Sequence, residues 1–440
     1  MKNYIFANLR FLTPIKMLEA KRNGLIRNRL THLDFKGDFP AIANAVAKTT
    51  RLEQLTIAIE RKDLLLLGHT VHHHPSLKEL SVRGTGEFPQ FCTSNKSYGR
   101  IEKLKAQYVT DFLDLILSDT SLTSLHLDHM LTPEFHLEIL GKYLSSPEST
   151  LESLYLEEFL EFDDYYKFFK LAKGLYYNTT LKKLAISQSQ AFFEHADLAV
   201  FAKLFTLNTS ICAFHLDIQR MGTDENIETT AKLYHRLTEA IRNNPNITEL
   251  YLSGFGQLEG HEKEILFSEN LQRLTLFKVI AKASRNREVH IQNYRSLADL
   301  IIKSPNLTHL TLHVSDIDIE SVRALANALS QNTTLKALYL DFYEHQQDLA
   351  AIIVGSVLHN TTLVKLNLFD ESEVPDDNAS ITLAKSIVKR NRTLQKSLFG
   401  QLYEVAESVK DSDYDHNGNF TTKKRTIEHE TPSGKRQHIQ

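Results

Sequence analysis

A short apolar motif recurs along most of the chain, and this repetition constrains the fold more than any other feature of the sequence. Each copy reads Leu-x-x-Leu-x-Leu after a polar turn, as in NTTLKALYL at 332–340 and NTTLVKLNL at 360–368. Successive copies begin about 28 residues apart. The leading apolar residues are Leu30, Leu52, Leu77, Ile101, Leu122, Leu151, Leu181, Ile211, Ile247, Leu271, Leu307, Leu335, Leu363 and, in a degraded last copy, Leu394.

Each copy predicts one strand and one helix. The Leu-x-Leu alternation is the period-two pattern of a strand with one buried face. Between motifs the apolar residues follow helical spacing, as at Val322, Leu325, Ala326 and Leu329. Because neither element can bury its apolar face alone, the copies must stack on one another. The sequence therefore predicts an α/β solenoid of about 14 irregular repeats, with a parallel concave sheet and convex helices.

The motifs LTHLTL, LKALYL and LVKLNL resemble leucine-rich repeats of the long, ribonuclease-inhibitor-like class. The resemblance covers about residues 30–400 and implies a horseshoe. That class continues with Asn or Cys three residues after the last leucine, and this chain departs from it there. We therefore expect apolar packing to replace much of the family's asparagine ladder. The residues at these positions are Met130, Phe159, Ser189, Phe255, Ser315 and Tyr343.

An Asn-x-Thr or Asn-x-Ser motif recurs in step with the repeat. In a secreted eukaryotic protein it would mark glycosylation sites. The repeat offers a structural explanation instead, because Asn tolerates the left-handed conformation that ends many helices and Thr suits the following turn. We therefore expect these asparagines to end helices. They are Asn178, Asn208, Asn246, Asn306, Asn332, Asn360 and Asn391.

Charge and polarity divide the chain into three parts. Residues 1–29 contain seven basic residues and a single acidic one, Glu19, and are interpreted as a basic N-terminal cap. Residues 30–410 form the solenoid, interrupted by loops at 84–99 and 371–380. Residues 411–440 are polar and almost free of aliphatic side chains, which predicts a flexible tail.

Composition excludes several functional classes. The 440 residues carry a net charge of −3 and two cysteines, without CxxC pairs or glycine-rich phosphate loops. An acidic repeat domain disfavours nucleic acid. No apolar run is long enough to cross a bilayer, and no signal peptide is recognisable. We expect a cytoplasmic monomer on synthesis, with no cofactor and no integral membrane contact.

Three sequence features are weighed as chemical sites and set aside. Segment 69–74 places histidines at helical spacing, but it occupies the slot of an exposed turn, so solvated histidines are expected. Segment 413–420 begins like a calcium-binding loop, yet Lys424 stands where a bidentate Glu is needed. Cys212 adjoins a core position and is interpreted as a small buried hydrophobe. No metal site is predicted.

The concave face carries the predicted binding site. Residues two, four and six places after each leading leucine project from this face. Tyrosine and histidine recur there beside carboxylates, a combination suited to protein recognition. Toward the N-terminus the same face is basic, at Lys36, Arg83, Lys103 and Lys105. The candidate protein-binding residues are His126, Asp128, Tyr155, Glu157, His215, Asp217, Tyr251, Phe277, His309, His313, Tyr339, Asp341 and Phe369.

These features predict a protein-binding module without catalytic residues, because an open sheet desolvates a general base poorly. The irregular repeats and polar C-terminal segment resemble leucine-rich-repeat effectors that bacteria inject into host cells through a type IV secretion system. That resemblance implies virulence, translocation into the host cytosol and a host protein as partner. The alternatives are a cytosolic regulator of a small GTPase, of the Ran GTPase-activating type, and, third, a metal-dependent enzyme.

Overall fold

The computed structural model describes somewhat more than half of the chain, as alternating strands and helices. The described residues are 31–36, 39–60, 63–72, 74–85, 101–107, 121–128, 134–158, 165–188, 195–218, 227–253, 270–277, 287–313, 317–342, 347–357, 360 and 362–368.

The strands are β1 (His32–Lys36), β2 (Gln54–Glu60), β3 (Glu79–Thr85), β4 (Lys103–Gln107), β5 (Ser124–Asp128), β6 (Ser153–Glu157), β7 (Lys183–Gln188), β8 (Ala213–Ile218), β9 (Glu249–Ser253), β10 (Arg273–Phe277), β11 (His309–His313), β12 (Ala337–Asp341) and β13 (Lys365–Asn367). The helices of the described residues are α1 (Phe39–Ala47), α2 (Leu64–His72), α3 (Glu134–Ser145), α4 (Tyr165–Tyr177), α5 (His195–Leu207), α6 (Ile227–Asn243), α7 (Arg287–Lys303), α8 (Ile319–Gln331) and α9 (Gln347–Val357).

All 13 strands form one parallel sheet in which the order across the sheet is the order along the chain. Each strand pairs with the next in constant register, so that equivalent leucines such as Leu125 and Leu154 stand opposite each other. The sheet is not closed into a barrel. This confirms the predicted α/β solenoid, with about 13 repeats, and the architecture is consistent with leucine-rich repeats. The degraded copy at Leu394 lies outside the described residues.

The core is a continuous apolar layer between the sheet and the helices. The leading apolar residues from Leu52 to Leu363 are all at most 3% exposed. The helical spacing is confirmed in α8, where Val322, Leu325 and Leu329 are at most 2% exposed. Burial at this recurring position explains the repeat, because each leucine packs where its equivalents in the neighbouring repeats pack.

Buried asparagines link consecutive repeats at the turns before five of the strands. Asn208 Oδ1 accepts hydrogen bonds from the backbone N–H groups of Ser210 and Ile211, both at 2.9 Å. Its Nδ2 donates to the carbonyls of Leu175 (2.7 Å) and Asn178 (2.9 Å) in the preceding repeat. We call this set the asparagine ladder. Its members stand three residues before the leading apolar residue, whereas the ladder of the leucine-rich-repeat family stands three residues after the last leucine. The set comprises Asn178, Asn208, Asn244, Asn332 and Asn360.

The ladder corrects two expectations. The asparagines were expected to be left-handed, but Asn332 has φ −74° and ψ 133°, an extended conformation. Among the described non-glycine residues, only Glu158 has a positive φ, of 48°. Asn246 and Asn306 share the sequence motif yet stand one residue before the leading position, outside the ladder. The six positions expected to replace the family's ladder lie outside the described residues.

His74 occupies the ladder position in an early repeat. It is 6% exposed, and its Nδ1 lies 3.1 Å from the backbone nitrogen of Leu77. Its Nε2 lies 2.8 Å from Thr49 Oγ1. Burial lowers the pKa of His74. The expectation of solvated histidines at 69–74 is therefore wrong for His74, because the ring replaces an asparagine side chain. It holds for the exposed His69.

Further expectations differ in detail or cannot be compared. Cys212 is half-buried rather than buried, since it lies in the turn and its thiol is 3.4 Å from the Lys182 carbonyl. Of the loop expected at 84–99, the first two residues belong to β3, which extends through Thr85, and the rest lies outside the described residues. No helix among the described residues is long and apolar enough to span a membrane. The N-terminal segment, Cys92, the loop at 371–380 and the tail lie outside the described residues.

Two glycines allow α3 and α4 to approach closely behind β5 and β6. A Cβ on Gly174 would lie 2.0 Å from the carbonyl oxygen of Gly141, and one on Gly141 would lie 2.7 Å from the Lys170 carbonyl. No larger residue fits at Gly174 unless the helices move apart. The contact therefore fixes the helices that support the middle of the sheet.

Candidate binding site on the open face of the sheet

The face of the sheet that the helices leave uncovered, here called the open face, is the one predicted to be concave. The residues four places after each leading position stand opposite one another on neighbouring strands, so the predicted series is confirmed throughout. We call this series the central column. It contains Asp34, Thr56, Ser81, Lys105, His126, Tyr155, Ala185, His215, Tyr251, Thr275, Thr311, Tyr339 and Asn367.

Two aromatic pairs stand in the middle of the central column. The rings of His126 and Tyr155 have centroids 5.6 Å apart and are tilted by 35°. His215 and Tyr251 repeat this geometry at 5.6 Å and 32°. Ala185 separates the pairs, because it stands opposite Tyr155 on one side and His215 on the other. The short methyl side chain leaves a gap in a row of rings.

The gap is a cleft of about 210 Å³ above Ala185. Tyr155 and His215 form its walls, while Glu157 and Asp217 also contribute to its lining. The aromatic walls are half-buried. The cleft therefore combines ring surfaces with carboxylates at a place where a partner can reach both.

Each histidine of the two pairs is held by a carboxylate. His126 Nε2 lies 3.1 Å from Glu157 Oε2, and His215 Nε2 lies 2.7 Å from Glu249 Oε1. Lys183 lies 4.0 Å from the same Glu249 oxygen, and its Nζ is 5.4 Å from the centre of the Tyr155 ring. These contacts fix the rings that form the cleft walls.

Burial shifts the ionisation of the second pair toward neutral forms. It lowers the pKa of His215, against the opposing effect of the hydrogen bond to Glu249. It also raises the pKa of Tyr251, with Asp217 adding to the effect. At neutral pH the pair therefore presents an uncharged imidazole and an uncharged phenol.

The open face of β5 to β9 is acidic. Its described side chains include Asp128, Glu157, Asp217 and Glu249 as carboxylates, with Lys183 as the one lysine on this part of the face. Three of the carboxylates are half-buried, and Asp128 is only 6% exposed. Negative charge therefore surrounds the aromatic rings.

One cluster on this face has the composition of a metal site. Donor atoms of His126, Asp128 and Glu157 all lie within 4.8 Å of one another, and no other such group of three occurs in the described part of the chain. Lys105 Nζ lies 4.0 Å from Asp128 Oδ2. One imidazole and two carboxylates can hold a divalent ion.

A second cleft of about 300 Å³ adjoins the first toward the C-terminal strands. His309 and Tyr339, both predicted site residues, line it together with Arg273 and Lys365. Burial lowers the pKa of His309, and the nearby Arg273 acts in the same direction. Two cationic side chains and one carboxylate, that of Glu249, line this cleft, whereas the charged lining of the first cleft is acidic.

The predicted residues thus separate into groups. Seven of them, from His126 to Tyr251, come together around the first cleft and the metal-like cluster. His313 is half-exposed on β11, away from both. Phe277 lies in β10 and Asp341 in β12, but the structure describes only the backbone of these two residues. Phe369 lies outside the described residues.

Two of the four basic residues expected toward the N-terminus lie close to carboxylates. Lys103 Nζ lies 2.6 Å from Glu79 Oε1, and Lys105 faces Asp128. Sequence reasoning did not include Glu79 among the charges of this face. It also missed Lys183 and Glu249, which stand two residues before the central column. The period-two alternation would have placed all three on the open face.

Comparisons with known proteins add little to this description. No protein-family model matches the chain, and no curated protein matches it. Among solved structures, it is similar to "Leiomodin-1 Actin-Binding Site 2 (ABS2)" at 17% identity, covering 43% of this chain and 88% of that chain with a TM-score of 0.21. No conclusion about function follows from a likeness of that size.

Proposed function

We propose that the open face binds another protein through a basic segment, with an arginine or lysine side chain seated in the cleft above Ala185. The observation that carries the proposal is the gap between two aromatic pairs at the centre of an acidic surface. A cation over a tyrosine ring gains about 0.5–2 kcal/mol, depending on how far it is desolvated.

The chemistry of the cleft favours a basic side chain over an apolar or acidic one. Glu157 and Asp217 attract positive charge, and Lys183 already lies over the Tyr155 ring. An incoming arginine offers a planar cation that stacks on aromatic rings and donates two parallel hydrogen bonds to one carboxylate. Tyrosine and arginine are also the residues on which protein interfaces most often depend.

We infer binding rather than catalysis at this face. The cleft is open, and its imidazoles are each held by a carboxylate, which positions them as walls. A catalytic base requires a substrate held within hydrogen-bond reach in a water-poor pocket. Addition of a small GTPase with GTP tests the alternative of an enzyme activator: the proposal expects an unchanged rate of GTP hydrolysis.

The proposal extends to the class and origin of the protein. A repeat of about 28 residues with a helix in most described repeats supports the ribonuclease-inhibitor-like class. The resemblance to type IV secreted effectors supports a host-cell protein as the partner. Fusion of a translocation reporter to the chain tests this, since an effector carries the reporter into host cytosol only when the secretion system is intact.

A cleft-filling substitution tests the binding surface. Ala185→Phe places a ring in the gap, whereas Thr56→Phe places the same ring in the central column on β2, five strands away from β7. Affinity capture from eukaryotic cytosol, followed by direct binding of the purified candidate, should give a partner that Thr56→Phe retains and Ala185→Phe loses. A partner bound equally by both variants would contradict the proposal.

A further inference from the structure

We propose that His126, Asp128 and Glu157 form a binding site for a divalent transition-metal ion, with zinc as the ion that best fits the ligands. The site is formed by β5 and β6 in the middle of the sheet. The sequence analysis predicted no metal site, and assigned these three residues to protein binding only.

The sheet brings the three ligands together on rigid backbone. His126 and Asp128 are two residues apart on β5 and therefore share the open face. Glu157 stands opposite Asp128 on β6. The His126 Nε2 to Glu157 Oε2 distance is 3.1 Å. Two ligands of one tetrahedral zinc ion are about 3.4 Å apart when each is about 2.0–2.2 Å from the metal. The donor atoms of the three residues lie within 4.8 Å of one another, so no pair has to approach by more than about 1.4 Å.

Asp128 gives the site its affinity for a cation. It is only 6% exposed, and a carboxylate removed from water is stabilised by a nearby positive charge. Lys105 supplies some of that charge from 4.0 Å. Its side chain is 45% exposed, so it can turn into solvent when an ion enters. The metal then replaces a distant monovalent charge with a coordinated divalent one.

The ligand set selects the ion. Imidazole nitrogen favours zinc and neighbouring transition metals over calcium and magnesium, which prefer oxygen ligands only. Three protein ligands leave one tetrahedral position open on the solvent side of the open face, where water or an incoming ligand completes the coordination. A structural zinc site would have four protein ligands.

The equivalent place around His215 provides an internal contrast. His215 lies 2.7 Å from Glu249, but Lys183 lies 4.0 Å from the same carboxylate oxygen. The described residues there supply no third ligand within the distance that defines the first cluster. His215 therefore serves as a matched control: it has the same ring and a similar burial, but lacks the ligand set.

Zinc titration of the full-length, tag-free and metal-stripped chain tests the proposal, with binding measured by calorimetry against a competing chelator. The variants are Asp128→Asn and His126→Gln, and the control is His215→Gln. We expect the native chain and the control to bind one equivalent more than the two variants, or to bind at least tenfold more tightly. Equal stoichiometry and affinity in all four proteins would overturn the site, and zinc bound elsewhere cancels in this comparison.

Thermal unfolding gives a second readout that does not depend on counting ions. Zinc should raise the Tm of the native chain and of His215→Gln, because an ion that binds only the folded state stabilises it. It should leave Asp128→Asn unchanged or raise its Tm less. Circular dichroism confirms that each variant is folded before titration. A shift of the same size in Asp128→Asn would contradict the proposal.

The metal site and the protein-binding cleft can fail separately. His126 and Glu157 also line the cleft above Ala185, whereas Asp128 does not, and Ala185→Phe changes none of the three ligands. Ala185→Phe should therefore bind zinc as the native chain does. A native chain that binds no zinc at these ligands but has a partner lost only in Ala185→Phe would contradict the metal site alone. A native chain that binds zinc there but has a partner retained equally by Ala185→Phe and Thr56→Phe would contradict the cleft alone.

Discussion

The asparagine ladder and the central column run side by side across the same strands, yet they differ in almost every property. The ladder lies three residues before the leading apolar position, is buried, and repeats one chemistry. The central column lies four residues after it, is exposed or half-buried where its side chains are described, and changes from strand to strand. The protein thus repeats one residue type at the position that links the repeats, and varies the residue type at the position that faces the solvent.

Solvation explains the difference. Ladder side chains satisfy buried backbone groups of two repeats, so a substitution leaves those groups without partners inside the protein. Side chains of the central column face the solvent, and exchanging them costs little stability. We therefore expect ladder substitutions to change the free energy of unfolding, and central-column substitutions to change binding.

The largest expected effect is at the ladder. Asn208→Ala removes five hydrogen bonds: two from backbone N–H groups, two to backbone carbonyls and one from the Ser210 hydroxyl. We expect a loss of about 4 kcal/mol in the free energy of unfolding, measured by urea denaturation. Asn246→Ala is the control, since Asn246 carries an Asn-x-Thr motif, equivalent to the Asn-x-Ser motif of Asn208, but lies outside the ladder. Equal losses in both variants would remove the distinction between motif and ladder.

The next effect tests the helices behind the binding face. Gly174→Ala places a methyl group 2.0 Å from the Gly141 carbonyl oxygen, and should lower the free energy of unfolding by about 3 kcal/mol. Gly355→Ala meets nothing within 4 Å and lies in α9. It should instead stabilise by about 0.5–1 kcal/mol, because alanine favours a helix. Thermal unfolding of both variants tests the opposite signs.

A smaller effect depends on pH. Burial lowers the pKa of His74, so the folded chain resists its protonation and the unfolded chain does not. Its stabilising contribution is complete above the unfolded pKa of about 6.5 and is lost as the pH falls below it. His74→Asn supplies the usual ladder residue and should reduce the loss of stability between pH 7 and pH 5.

Denaturant titrations of the native chain and His74→Asn at both pH values measure this difference. His74→Ala separates the two roles of the ring, because it lacks both the charge and the acceptor atom. It should be less stable than His74→Asn at every pH. An identical pH dependence in the native chain and His74→Asn would show that His74 does not contribute to it.

The smallest effect on stability is expected in the central column. Ala185→Phe adds a ring in an open cleft, and should change the free energy of unfolding by less than about 0.5 kcal/mol while abolishing partner binding. Chemical denaturation and direct binding on the same preparation compare the two quantities. A destabilisation as large as that of Asn208→Ala would show that the central column also holds the repeats together.

The sequence predicted the fold and the register because one spacing determines both. The Leu-x-x-Leu-x-Leu motif aligns each copy with the next whatever the length between them, so every position of the central column could be assigned. The ladder was missed because its role depends on backbone geometry at the turn, which also allows His74 to replace asparagine. The cleft was missed because it arises from a small residue, Ala185, between large ones.

The sequence pattern also did not predict which side chains on neighbouring strands contact each other. Glu249 reaches His215 on the neighbouring strand, and Lys183 reaches Tyr155, through rotamers that the alternation pattern does not specify. The sequence pattern also did not predict the cluster of His126, Asp128 and Glu157. Its residues come from two neighbouring strands, and His126 and Glu157 are 31 residues apart in the sequence. Pattern places a residue on a face, and packing decides which neighbours it meets.

Selection from a random peptide display library tests the central claim most directly, because it needs no knowledge of the partner. The native chain, Ala185→Phe and Thr56→Phe are each used as bait, and enriched peptides are sequenced. The account predicts enrichment of arginine- or lysine-containing peptides by the native chain and by Thr56→Phe, and its loss with Ala185→Phe. Enrichment of basic peptides by all three baits, or of acidic or uncharged peptides by the native chain, would contradict it.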